Sequence, residues 1–98
     1  MEGLCVTGVK IQIVRKGRLK AFAILTFNDC FVVRDVRVIQ GNQSLFVAMP
    51  SRRRPDGTYR DIAHPLNGEC RSYIERNVLE AYEQACRDDA TPELELET

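Results

Sequence analysis

Five short apolar runs, separated only by turn-forming segments, occupy the stretch from Val9 to Ala63. Short connections join antiparallel neighbours, because a parallel crossover needs a dozen or more residues. This part of the chain is therefore read as an antiparallel meander. In the first run Val9, Ile11 and Ile13 alternate with Lys10 and Gln12, the period of a half-buried strand. Arg15-Lys16-Gly17-Arg18 is a turn, in which glycine supplies the positive φ of a tight reversal. Leu19–Phe27 is the second strand, and Ala21 and Ala23 leave room in it for close packing. Asn28-Asp29 is a two-residue hairpin signal, since both residues tolerate the left-handed region. Cys30–Ile39 is the third strand; Arg34, Asp35 and Arg37 put charges on both of its faces, so neither face is expected to be completely dry. Gln40–Ser44 is a loop, and Leu45–Met49 and Tyr59–Ala63 complete five strands.

Helical spacing begins after Asn67, a good N-cap, and runs to about Arg87. Cys70, Ile74, Val78, Ala81, Tyr82 and Ala85 fall on one face, with Arg71, Glu75, Arg76, Glu80 and Glu83 around the rest. Glu83 and Arg87 form an i,i+4 pair that contributes a few tenths of a kcal/mol. Residues 88–98 are acidic, contain Pro92, and are expected to be a disordered tail. The predicted class is α+β: an antiparallel five-stranded meander sheet with one C-terminal helix packed on it. Residues 1–87 form a single domain and residues 88–98 the tail. A chain of 98 residues buries only about 60–65% of its unfolded surface. One helix cannot cover both faces of a five-stranded sheet, and a symmetric dimer that pairs sheets or edges is the simplest remedy.

Few residues offer catalytic chemistry. His64 is the only histidine; no nucleophile elbow accompanies it, and it reads as a structural residue at a strand–helix junction. Asp35, Asp56 and Asp61 read as a strand charge beside Arg34 or Arg37, a turn residue, and a partner for Arg60, rather than as a magnesium site. Cys5, Cys30, Cys70 and Cys86 lack zinc-site spacing and are expected to be reduced and mostly buried thiols. No enzyme activity, metal or cofactor is expected. No apolar run approaches the roughly 18 residues of a membrane span, and no secretion signal is seen, so a cytoplasmic location is expected.

Charge is where the chain is unusual. Residues 1–76 carry 13 basic and 7 acidic side chains, a net of +6; residues 77–98 carry 1 basic and 7 acidic, a net of −6. Arg52, Arg53 and Arg54 lead into a Pro55-Asp56-Gly57 turn between the last two strands, so a guanidinium cluster is expected at a hairpin tip. Adjacent arginines repel one another and stay charged, so clustering costs energy unless an anion relieves it. Arginine also forks across two phosphate oxygens. Arg15, Lys16, Arg18 and Lys20 form a second basic patch, of which Arg15, Lys16 and Arg18, with Arg71 and Arg76 from the helix, are further possible contacts. Tyr59 could stack on an unpaired base or pack on the sheet. No helix-turn-helix, zinc finger or aromatic ribonucleoprotein motif is present.

Phe31–Ile39, Gly41-Asn42, Leu45–Arg53, Asp56-Gly57 and Arg60–Pro65 resemble, in order and with matching loop lengths, the stage V sporulation protein G family. The likeness covers about residues 6–87. It implies a small cytoplasmic dimer with an antiparallel sheet and a C-terminal helix. It also implies DNA and RNA binding, regulation of septation and sporulation, and no catalytic activity. On the family's basic loop stand Arg52 and Arg53. Arg54 occupies a position where the family often has a small or polar residue, and Ser44 one where it usually has glycine. The expected function is a homodimeric nucleic-acid-binding regulator that grips phosphates through the arginine hairpin. The alternative is a module that contacts division or regulatory proteins without nucleic acid. In either case the acidic tail could compete for the arginine loop.

Overall fold

The computed structural model describes the backbone of residues 3–97 and the side chains of residues 3–88. Four strands, β1 (Val6–Lys16), β2 (Leu19–Phe27), β3 (Phe31–Gln40) and β4 (Leu45–Ala48), form one antiparallel sheet in that order. Then β5 (Ser51–Arg53) and β6 (Tyr59–Asp61) pair with each other as a separate two-stranded ribbon, and α1 (Gly68–Glu97) follows. The α+β class and the meander of the first four strands agree with the sequence reading. The fifth strand does not: Tyr59–Asp61 joins the ribbon rather than the sheet. Pro50 is the physical reason, since it has no N–H to continue the ladder beyond β4. Met49 and Pro50 are both buried at the point where the chain leaves the sheet.

Turn chemistry behaves as the residues require. Asn28 and Asp29 take the left-handed φ expected of them, 52° and 56°, with the Cys30 N–H donating to the Phe27 carbonyl at 3.0 Å. Cys30, however, belongs to the turn and not to the third strand, which pairs with β2 from Phe31 opposite Phe27. The Asn28 side chain also ties down the N-terminal segment, accepting from the Cys5 N–H at 2.8 Å and donating to the Gly3 carbonyl at 2.6 Å. β3 contains a bulge that the sequence reading lacked. Its register with β2 passes from Ala23↔Val36 to Leu25↔Val33, and Asp35 sits at φ 65°. One extra residue lets Arg34 and Asp35 both face solvent while Val33 and Val36 both turn toward the core. Strict alternation would put Arg34 and Asp35 on opposite faces; the bulge exposes both.

One face of the sheet carries the core. Ala21, Ala23, Leu25 and Phe27 of β2, Val36 and Val38 of β3, and Val47 of β4 pack with Met49 and with Ile74 and Val78 of α1. A fully buried leucine or valine here contributes about 1.5–3 kcal/mol. Cys70, Tyr73, Leu79 and Tyr82 flank the helix contact, and the Val6 N–H donates to the Tyr73 hydroxyl at 2.9 Å. Asn67 is the N-cap expected of it: its Oδ1 accepts the Cys70 N–H at 2.8 Å. The helix bounds run past Arg87, where the sequence reading ended them, because no glycine stops it there. The expected disordered tail, residues 88–98, falls on side chains that, from residue 89, lie outside the described residues. Across the sheet from the core, Phe22, Ile24, Val32, Ile39 and Phe46 form a face on which α1 does not pack.

Candidate nucleic-acid interface

The ribbon turn is built by Pro55, Asp56 and Gly57. The Gly57 N–H donates to the Arg54 carbonyl at 2.9 Å, the Arg54 N–H donates to the Thr58 carbonyl at 2.7 Å, and Gly57 takes φ 92°. This is a three-residue hairpin loop whose last position needs glycine's freedom. The Asp56 Oδ1 accepts from the Thr58 hydroxyl at 2.7 Å and from its N–H at 3.0 Å. These two bonds, the hydroxyl's foremost, hold the Asp56 carboxyl below its ordinary value. At the base of the ribbon the Ile62 N–H donates to the Pro50 carbonyl at 2.8 Å, and the Arg37 Nη2 reaches the Ser51 Oγ at 3.4 Å.

Ribbon register decides what the arginines face. Ser51 pairs with Asp61, Arg52 with Arg60, and Arg53 with Tyr59. Side chains alternate along a strand, so Arg52 and Arg60 share one face while Ser51, Arg53, Tyr59 and Asp61 share the other. The sequence reading put three arginines at the tip; only Arg54 flanks the turn, and Arg52 and Arg53 are strand residues. Arg60, read as a partner for Asp61, instead stands opposite Arg52. Like charges directly opposite one another are destabilising. Among the described residues, Arg52, Arg53, Arg54 and Arg60 make no side-chain hydrogen bond or ion pair. The four line a cavity of about 570 Å³. A second cavity, of about 440 Å³, lies between the ribbon and β4 and takes in Arg37, Phe46, Tyr59, Asp61 and Arg71.

Three of the eight arginine and lysine positions picked from the sequence thus come together, Arg52, Arg53 and Arg54, while Arg71, from the first turn of α1, lines the neighbouring cavity. Arg15, Lys16 and Arg18 stand apart at the β1–β2 turn, where the Arg18 Nη2 donates to Asn42 Oδ1 at 3.2 Å. Arg76 lies 5.9 Å from the Tyr73 ring centroid and lines a different cavity with Cys5 and Cys70. Arg37, Arg60 and Phe46 were missed. A signal for Arg60 was present: a three-residue loop at 55–57 flanked by Arg54 and Thr58 sets Arg60 opposite Arg52. His64 is exposed rather than packed at the strand–helix junction, and the cysteines are not the buried thiols expected: Cys30 is exposed in a turn and Cys5, Cys70 and Cys86 are half-buried. Among the described residues no three His, Cys, Asp or Glu side chains are grouped to hold a metal, and no helix is long and apolar enough to cross a membrane.

The family model SpoVG matches residues 4–84. A relative from Anaeromyxobacter sp. (strain Fw109-5), named "Putative septation protein SpoVG", is 51% identical over 87 residues, covering 89% of this chain and 90% of the relative. A relative of the same name from Bdellovibrio bacteriovorus is 58% identical over 79 residues, covering 81% of this chain and 73% of the relative. A third, from Myxococcus xanthus, is 49% identical over 79 residues, 81% of this chain and 80% of its own.

Proposed function

The chain belongs to the SpoVG family, and on that premise we propose that it is a homodimeric DNA- or RNA-binding regulator of septation. One observation carries the reading. Arg52 and Arg60 stand opposite each other beside Arg53 and Arg54, without a carboxylate partner among the described residues. Such an arrangement costs stability in the free protein and is relieved by polyanionic phosphate, which guanidinium binds in a forked geometry. The link to septation comes from the names of the relatives. Support for the dimer comes from the sheet face opposite the helix, where Phe22, Ile24, Val32 and Ile39 sit without a covering layer among the described residues.

Salt dependence tests the reading. Arg52, Arg53 and Arg54 from two subunits, each neutralising one phosphate, give a slope of log affinity against log salt of up to about −5 on duplex. Fluorescence anisotropy with a labelled oligonucleotide measures it. Replacing Arg52, Arg53 and Arg54 together by alanine flattens the slope and weakens binding. Binding that ignores both salt and the triple substitution rules the reading out.

A second reading has its own observation. Ile62 is 69% exposed and Leu66 is 90% exposed in the segment between the ribbon and α1. Large apolar side chains this exposed suit contact with another protein, such as a component of the division machinery. A partner that stays bound after nuclease treatment, and is lost with Ile62→Ser and Leu66→Ser, supports this reading.

A further inference from the structure

The geometry points to a stacking site for unpaired nucleobases in the cleft between the ribbon and β4. This rests on the nucleic-acid reading above and adds to it the class of ligand: single strand rather than duplex. Tyr59 is 69% exposed and Phe46 46% exposed, and both line the same cleft of about 440 Å³. Tyr59 therefore does not pack on the sheet, and its ring is free to meet a flat partner. Exposed aromatic rings flanked by cations are the common means of holding single strands, because every base offers a π-face.

The charges in the cleft separate base from phosphate. Asp61 lines both this cleft and the neighbouring arginine cavity. A carboxylate there disfavours a phosphate but suits the N–H donors on a base edge. Phosphates belong instead to the neighbouring cavity, where the same carboxylate is outnumbered by Arg52, Arg53, Arg54 and Arg60. Arg37 and Arg71 stand at the cleft itself, where they can meet the backbone on either side of an inserted base. A base paired and stacked in a duplex cannot enter between a ribbon and a sheet edge, so the cleft selects unpaired strands.

Three labelled probes of one length test this by anisotropy: a mixed-sequence single strand, its duplex, and the same single strand with abasic sugars. The intact single strand binds more tightly than the abasic strand and the duplex. Tyr59→Ala weakens single-strand binding about tenfold, within the usual range for loss of one stacked base. The same substitution leaves abasic binding unchanged, and Tyr59→Phe retains the preference. Tyr59 lies outside the core, so the variant tests the cleft and not folding. Equal binding of intact and abasic strands, with the arginine triple variant still impaired, overturns the stacking site and leaves the phosphate clamp standing. If none of the probes binds the unsubstituted protein, the nucleic-acid reading itself falls, and this inference with it.

Discussion

Asp35 holds a backbone conformation, φ 65°, that favours glycine and that aspartate tolerates better than most residues. Its left-handed turn makes the β3 bulge, which sends Arg34 and Asp35 outward together. Asp35→Val, with a branched side chain in that region, is expected to be less stable than Asp35→Gly by about 1–2 kcal/mol. Urea unfolding of the two variants measures the difference. Asp56 makes a prediction in pH. Its folded-state carboxyl titrates below the ordinary value of 3.8, so the Thr58 contacts stabilise the turn fully above that value. That contribution is lost as pH falls through the lower, folded-state value. The ribbon turn should therefore be insensitive to pH between neutrality and about 5, and Thr58→Ala should raise the Asp56 titration midpoint. A carboxyl NMR titration of the two proteins reads this directly. Neither residue's role could be judged from sequence alone in the same way. The Asp56–Thr58 contact is local, whereas the bulge at Asp35 depends on how β2 packs beside β3.

At the scale of elements, what was legible follows the range of the interactions. The first four strands, the Asn28-Asp29 turn and the Asn67 cap rest on neighbours in sequence, and the structure has them nearly where alternation and turn chemistry put them. Asn67→Ala should cost about 1 kcal/mol, the usual loss for such a cap, measured by urea unfolding. Separation of the ribbon from the sheet was not legible in the same way. Tyr59–Asp61 has the composition of a fifth strand, and only the exit of the chain at Met49-Pro50 decides where it pairs. The arginine cluster was visible as Arg52, Arg53 and Arg54, but its other half, Arg60, appears only once the register across the loop is counted. On the proposed function, that register makes the ribbon a place where stability and binding oppose each other. Replacing Arg60 by threonine removes the like-charge pair and favours the strand, so ribbon stability should rise by about 0.2–1 kcal/mol. Oligonucleotide affinity should fall in the same variant. A substitution that lowers both would mean that Arg60 has a structural partner instead.

For the whole molecule, the two sheet faces set the argument. One is dry, closed by Ile74 and Val78 of α1. The other presents Ile24 and Val32 between Lys10 and Arg34, along a cavity of about 360 Å³. In the proposed dimer a second copy packed face to face would cover those apolar side chains and carry a second arginine ribbon with it. Ile24 lies near the middle of this face, its neighbours Ala23 and Leu25 pointing to the core, so a glutamate at 24 charges the contact without entering the core. Ile24→Glu should convert the proposed dimer to a monomer by sedimentation velocity while leaving the far-ultraviolet circular dichroism unchanged. The same variant should change the salt response. With Arg52, Arg53 and Arg54 from one subunit instead of two, the slope of log affinity against log salt should drop from about −5 to about −3 on duplex and from about −4 to about −2 on single strand. A dimer that survives Ile24→Glu places the contact on the β1 or β4 edge. A monomer that keeps the full slope would mean that one ribbon, with Arg37, Arg60 and Arg71 beside it, makes all the phosphate contacts by itself.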